Sequence, residues 1–157
     1  MADAAGPATV LHLDDFYRPM PVAARAKLTP AEGAQQLFDV DRLTSQALAP
    51  LRAGRSARFQ AYDWATNRLG EWREAPAARL FIVEGVHAAD KRCRTFLDVI
   101  VFVKTPPQVR WKRRLARGQN SAEQIRQWLA AEDSYFTGHG VLEAADWVVP
   151  GDAAPRA

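Results

Sequence analysis

The sequence predicts an α/β domain in which a parallel sheet is flanked by helices. Four short apolar, β-prone runs, at residues 8–13, 80–83, 99–103 and 147–149, each stop at a charged or Pro/Gly segment, as buried strands do on reaching the edge of a sheet. Much of the chain between them carries helical spacing rather than tight hairpin signals, which favours parallel strands covered on both faces. A length of 157 residues with 48% apolar and 25% charged side chains is enough for one compact domain and too little for two. That domain is expected over 1–152, with 153–157 as a frayed tail.

In chain order, the first strand, Ala-Thr-Val-Leu-His-Leu at 8–13, ends at Asp14-Asp15. From Asp41 to Arg52, Leu43, Ala47, Leu48 and Leu51 fall on one helical face. Residues 54–78 mix aromatics, Arg and Gly without a sustained period and read as a short hairpin or an inserted lobe over the sheet. The second strand, Leu-Phe-Ile-Val at 80–83, ends at Glu84-Gly85, and the third, at 99–103, ends at Lys104-Thr-Pro-Pro. Those prolines suit the start of a helix from Pro106 to Arg117. Ser121 caps the next, in which Ile125, Trp128 and Leu129 recur at helical spacing to about Tyr135. The last strand, Trp-Val-Val at 147–149, is stopped by Pro150-Gly151.

Composition excludes several classes. With 21 basic and 18 acidic residues the net charge is +3, too balanced to announce a nucleic-acid protein by composition, although a pI near 9.3 permits anionic ligands. The single cysteine, Cys93, cannot form an internal disulfide. No stretch reaches the roughly 18 consecutive apolar residues of a membrane span, and the first residues lack the basic start and apolar core of a secretory signal. A soluble, cytoplasmic protein is expected, with no nucleic-acid or membrane partner and with homo-oligomerisation left open.

In an open parallel sheet, ligands bind beyond the carboxyl ends of the strands. Asp14-Asp15 after the first strand and Glu84 after the second are therefore the first candidates for chemistry, since one carboxylate can accept a hydroxyl proton while another orients magnesium. The plainer alternative is that such acids cap turns and helices. A second constellation is basic. Arg110, Arg113, Arg114 and Arg117, with Lys112, crowd one helix at i, i+3 and i+4 spacing. Forked guanidinium donors suit a polyphosphate, although a solvated helix face is the common fate of such a run. Only Trp111 interleaves them, and no nucleic-acid motif accompanies them. His12, in the first strand, reads as a core or edge residue. His87 follows the Glu84 turn toward the same end of the sheet, and no zinc-like spacing joins the two.

The order Leu13-Asp14-Asp15-Phe16-Tyr17-Arg18, Phe38-Asp39, Tyr62-Asp63-Trp64, Val83-Glu84-Gly85, Arg110 to Arg117, and Ala145-Asp146 before the last strand resembles the uridine kinase family of P-loop nucleoside kinases across nearly the whole chain. The resemblance implies transfer of the ATP γ-phosphate to the 5′-hydroxyl of a nucleoside, helped by magnesium. By position, Asp14 would be the base facing that hydroxyl, and Tyr17 and Arg18 would shape the nucleoside pocket. Asp39 would hold ribose hydroxyls, and Tyr62 would contact base or sugar. Glu84 would assist magnesium, and Arg113, Arg114 and Arg117, with Arg110, would form a lid over the phosphates. For Phe16, Tyr62 and Trp64 a packing role is the alternative, and for Asp39 a helix cap.

The family's Gly-x-x-x-x-Gly-Lys-Ser/Thr loop, whose backbone N–H groups cradle phosphates, matches none of the nine glycines. In the family this loop and its central strand precede the Asp-Asp-Phe-Tyr strand, so the expectation is a fold lacking its first, central strand, with the true start lying upstream. Closure of the two half-sheets into a smaller fold and a strand supplied by another chain are the other outcomes. Turnover by the chain as it stands is then expected to be weak or absent. The rival reading is a non-catalytic nucleoside- or nucleotide-binding or regulatory module. A hydrolytic α/β enzyme is disfavoured because no Gly-x-Ser-x-Gly elbow is present.

Overall fold

The structure, a computed structural model, describes residues 8–152, and the tail expected to fray lies outside them. The described residues cluster into two compact units, one drawn from residues up to Leu28 and from Gln35–Asp98, the other from Thr29–Ala34 and from Val99 onward.

In the first unit, β1 (Ala8–His12) alternates, with Thr9 and Leu11 turned inward and Val10 and His12 exposed. It runs directly into a 3-10 turn, Leu13–Phe16, that carries the two aspartates. After a short helix α1 (Val22–Arg25), helix α2 (Pro30–Gln36) spans the boundary between the units. One continuous helical stretch follows, α3 (Val40–Leu43), a π-helical turn (Thr44–Leu48) and α4 (Ala49–Arg52). Pro50 accounts for the widened turn: it has no N–H to give the Gln46 carbonyl, and its ring crowds that carbonyl. Asp39 starts the stretch by accepting the Arg42 N–H at 3.1 Å. Its inward face is the expected set, Leu43, Ala47, Leu48 and Leu51, joined by Val40.

Residues 54–78 resolve into the antiparallel hairpin β2 (Ala57–Asp63) and β3 (Arg68–Ala75). The register shifts between Gln60 and Tyr62, so Ala61 and Tyr62 are both buried. That irregularity, together with a β3 that is mostly exposed, is why no strand period shows in the sequence. Asp63 closes the turn by accepting the Ala65 N–H and the Thr66 hydroxyl. Strand β4 (Leu80–Glu84) then pairs with β1 in parallel, from Ala8↔Leu80 to His12↔Glu84. Gly85 follows with φ 137°, and a Cβ there would lie 2.5 Å from Leu13 Cβ, so no other residue lets the two strand exits approach this closely. Leu11, Leu13, Phe16, Val40, Leu43, Leu48, Leu51 and Phe59 form the core with Cys93, and the Phe16 and Phe59 rings are 4.9 Å apart. Each large side chain so buried contributes about 1.5–3 kcal/mol.

In the second unit, β5 (Val101–Lys104) and β6 (Trp147–Pro150) are parallel neighbours. Between them run α5 (Pro107–Arg117) and α6 (Ala122–His139). Ser121 and Gln124 form a reciprocal capping box at the start of α6, as the Ser-x-x-Gln spacing allows. Ile125 and Tyr135 point inward, and Phe102 meets Phe136 edge to face at 5.2 Å. The α/β class with parallel strands and flanking helices therefore holds, with the parallel strands arranged as two pairs, β1–β4 and β5–β6; the expected cover on both faces does not, because β6 is exposed along its length and β5 nearly so.

Candidate functional site

The first unit brings most of the candidate residues together at one end of its parallel pair. Because β1 and β4 are parallel neighbours in register His12↔Glu84, the turn bearing Asp14 and the carboxylate of Glu84 leave the sheet on the same side. His12 reaches across the pair, its Nδ1 2.6 Å from Glu84 Oε1, and both side chains are well exposed. His12 is thus a surface partner of Glu84 rather than a core residue. Asp14 is exposed, whereas Asp15 is half-buried and ion-paired with Arg73 at 2.7 Å. Among the described residues no group of three or more His, Cys, Asp or Glu is placed to hold a metal ion.

The 3-10 turn ends at Tyr17, which forms an antiparallel bridge to Phe38. The Arg18 N–H donates to the Leu37 carbonyl at 2.9 Å and the Asp39 N–H to the Phe16 carbonyl at 2.8 Å. This stitching sets Asp39 beside the turn. Its carboxylate caps α3, lies 3.6 Å from Arg42 Nε and approaches Arg18 Nη2 at 3.9 Å. The helix-cap alternative for Asp39 is therefore realised: the capping oxygen, Oδ1, is also the one nearest Arg18, and Oδ2 faces Arg42 Nε.

Tyr17 is 3% exposed and packs among Phe38, Tyr62 and Trp64, with ring centroids 5.1, 5.3 and 4.8 Å away. The Arg25 guanidinium stacks 4.8 Å above its ring. Its hydroxyl is buried and has no hydrogen-bond partner. Burial pushes the Tyr17 phenol up to about 12, against the pull of Arg25, because the phenolate would be stripped of water. Tyr62 donates its hydroxyl to Asn67 Oδ1 at 2.5 Å, Arg25 Nη2 donates to the same oxygen at 2.8 Å, and Asn67 Nδ2 donates to the Met20 carbonyl at 2.7 Å. Asn67 does this from a left-handed conformation, φ 55°, one that asparagine tolerates better than most residues. His87 is buried against Phe38, ring centroids 4.5 Å apart.

Sequence reasoning singled out neither Arg25 nor Asn67. Asn67 had a local signal, a Thr-Asn pair in a polar turn before a strand. Arg25 had none, because it reaches the cluster from a one-turn helix far away in sequence.

The arginines of α5 are engaged within the second unit. Arg110 pairs with Asp133 at 2.7 Å and with Glu132 at 3.4 Å, and Arg114 pairs with the other oxygen of Glu132. Arg113 donates to the Gly151 carbonyl at 2.6 Å, and Arg117 is exposed. Burial raises the Glu132 carboxyl above its ordinary range while Arg114 and Arg110 pull it down. Two of the four arginines thus have an internal anion that their spacing alone did not reveal.

A sequence profile of the Phosphoribulokinase / Uridine kinase family matches residues 10–135. Among curated relatives, "Uridine-cytidine kinase-like 1" of Mus musculus is 35% identical over 72% of this chain and 22% of its own length. A "Uridine kinase" of Streptococcus pneumoniae is 33% identical over 72% of this chain and 57% of its own, so the chain spans little more than half the length of that relative and about a fifth of the mouse one. Among solved structures, a possible uridine kinase from Bacillus stearothermophilus aligns with a TM-score of 0.69 at 23% identity, covering 90% of this chain and 71% of that one. The matched span runs from β1 through the Asp14 turn, the Tyr17 cluster and Glu84 into α6, and the chain belongs to the phosphoribulokinase/uridine kinase family.

Proposed function

We propose that this chain carries the acceptor side of an ATP-dependent phosphoryl transfer to the 5′-hydroxyl of a nucleoside, of the uridine/cytidine kinase type. In this reading Asp14 takes the hydroxyl proton, since a carboxylate at the strand exit can act as a general base toward an adjacent alcohol. Tyr17, Arg18 and Tyr62 line the nucleoside pocket, and Asp39 accepts from ribose hydroxyls. The observation that carries it is the buried Tyr17 hydroxyl without a partner, set in an aromatic cluster beside the Asp14 turn and Asp39. An aromatic wall with a few fixed polar groups is the usual make-up of a small-molecule site.

Family membership implies ATP and magnesium as general requirements. Glu84 suits magnesium, which takes one or two protein carboxylates and fills its shell with water and phosphate oxygens. The residues present do not by themselves fit the ATP phosphates. The sequence holds no Gly-x-x-x-x-Gly-Lys-Ser/Thr, and Arg110 and Arg114 already pair with Glu132. Positioning and electrostatics supply nearly all of a phosphoryl-transfer rate, so we expect this chain alone to bind nucleoside and turn over weakly or not at all. A second reading is a nucleoside-binding module without catalysis.

Calorimetric titration with uridine, and separately with ATP–magnesium, tests the proposal, alongside a phosphoryl-transfer assay. Uridine binding that Asp39→Asn abolishes supports the acceptor site, and labelled nucleotide formation separates kinase from module. Absence of uridine binding overturns both.

A further inference from the structure

Beyond the side chains that would touch a nucleoside, we infer that Arg42 is the positioning residue of the acceptor site, a role that rests on the reading above. Arg42 is 7% exposed and lies over the Phe16 ring, 5.2 Å from its centroid. Its Nη1 donates to the Asp15 carbonyl at 3.2 Å and to the Gln60 carbonyl, and its Nη2 donates to the Tyr17 carbonyl at 2.9 Å. Its Nε faces Asp39 Oδ2 at 3.6 Å. One planar fork therefore joins the turn that bears Asp14 and Tyr17, the cap residue Asp39, and the strand that presents Tyr62.

The Gln60 contact is informative. Gln60 sits where the β2–β3 register shifts, and bulges of this kind re-aim side chains. Here the shift turns Tyr62 inward. The helix holds the Gln60 backbone at both ends, because its N–H donates to Gln46 Oε1 at 3.1 Å while its carbonyl accepts from Arg42. Arg42 and Gln46 are one turn apart, i and i+4, so they share a face. Arg42 directs its Nη groups to the backbone carbonyls of Asp15, Tyr17 and Gln60, which flank candidate ligand residues, and burial lowers its pKa, with Asp39 opposing. Lysine cannot replace it fully, because a single ammonium lacks the planar spread that reaches three carbonyls.

The test compares Arg42→Met and Arg42→Lys with Leu51→Ala, a core truncation on the same helical stretch that touches none of these carbonyls. Uridine affinity is measured well below each melting transition, and backbone amide resonances are mapped by NMR. Arg42→Met is expected to weaken uridine binding at least tenfold, with resonance changes reaching Arg18, Asp39 and Tyr62. Arg42→Lys should recover part of that loss, and Leu51→Ala should bind within twofold of the parent despite a lowered melting temperature. Arg42→Met binding within twofold of the parent overturns the inference. If the parent itself does not bind uridine, the nucleoside reading fails, and the resonance map still decides: changes confined to residues next to position 42 overturn the positioning role, and changes reaching Arg18 and Tyr62 support it. Should Arg42→Met not fold, Gln46→Ala, which frees the other end of the Gln60 backbone, takes its place against the same criteria.

Discussion

Replacing Tyr17 with phenylalanine removes a single oxygen, and the structure assigns that oxygen opposite effects on stability and on binding. The hydroxyl is buried without a hydrogen-bond partner, a state that costs about 1–3 kcal/mol relative to an apolar group of the same shape. Tyr17→Phe should therefore hold or raise stability near neutral pH by up to about 1 kcal/mol, a melting shift of roughly 2–4 °C for a chain of this size. The alkaline limb gives a second measure. Burial pushes the Tyr17 phenol from 10.0 to about 12. The folded-state pKa is raised, so the stabilisation is complete below pH 10 and is lost as pH climbs through 12. At about 1.4 kcal/mol per unit the parent forfeits roughly 2–3 kcal/mol across that window. Tyr17→Phe should lose that much less, and its tyrosinate absorbance should lack the parent's Tyr17 component titrating near 12. Uridine affinity should fall instead, by about 2- to 12-fold for one neutral hydrogen bond of roughly 0.5–1.5 kcal/mol. Thermal melts, an absorbance titration and calorimetry read the three quantities. A Tyr17→Phe variant destabilised by more than about 1 kcal/mol at neutral pH would show that the hydroxyl is satisfied in the native protein, and the argument for a waiting donor would fall with it.

Gly85→Ala forces a Cβ to 2.5 Å from Leu13 Cβ at φ 137°; a loss of about 3 kcal/mol or more is expected from the strain and the displaced Leu13, and a near-parental melting temperature would contradict the close approach. Glu132→Ala leaves Arg110 and Arg114 facing each other without their shared carboxylate, so urea denaturation should register about 2–3 kcal/mol of destabilisation, discounted from a fully buried pair because both arginines retain some exposure. Cys93 is buried, and that burial pushes its thiol to about 12; a disulfide reagent at pH 8 should modify it only as fast as the fold opens, and stoichiometric reaction within seconds in native buffer would refute its place in the core. Glu84→Gln breaks a contact with His12 between two well-exposed side chains and should change stability by less than about 1 kcal/mol, while any magnesium dependence of nucleotide binding should weaken.

The sequence by itself determined what depends on neighbours along the chain. Four apolar runs with abrupt ends became β1, β4, β5 and β6, within two residues at each end. The inward face from Leu43 to Leu51 and the Ser121 cap were legible from period and spacing. The placement of Asp14 just past β1 and of Glu84 at the end of β4 followed from the same pattern. Residues 54–78 stayed ambiguous because a register shift hides a strand's alternation, and the π-helical turn before Pro50 left no signature beyond the proline.

Only the tertiary structure decided which groups meet. Parallel pairing of β1 with β4 put the Asp14 turn and Glu84 at one edge. Long-range approach brought Arg25 and Asn67 to Tyr62 and turned Arg42 onto the carbonyls of Asp15, Tyr17 and Gln60. It also gave Arg110 and Arg114 an internal counter-charge on α6, where the sequence displayed only a basic helix. The physical reason is that periodicity and capping are short-range and written into adjacent residues. Hydrogen bonds and ion pairs between distant segments instead depend on angles and distances that exist only once the backbone has folded.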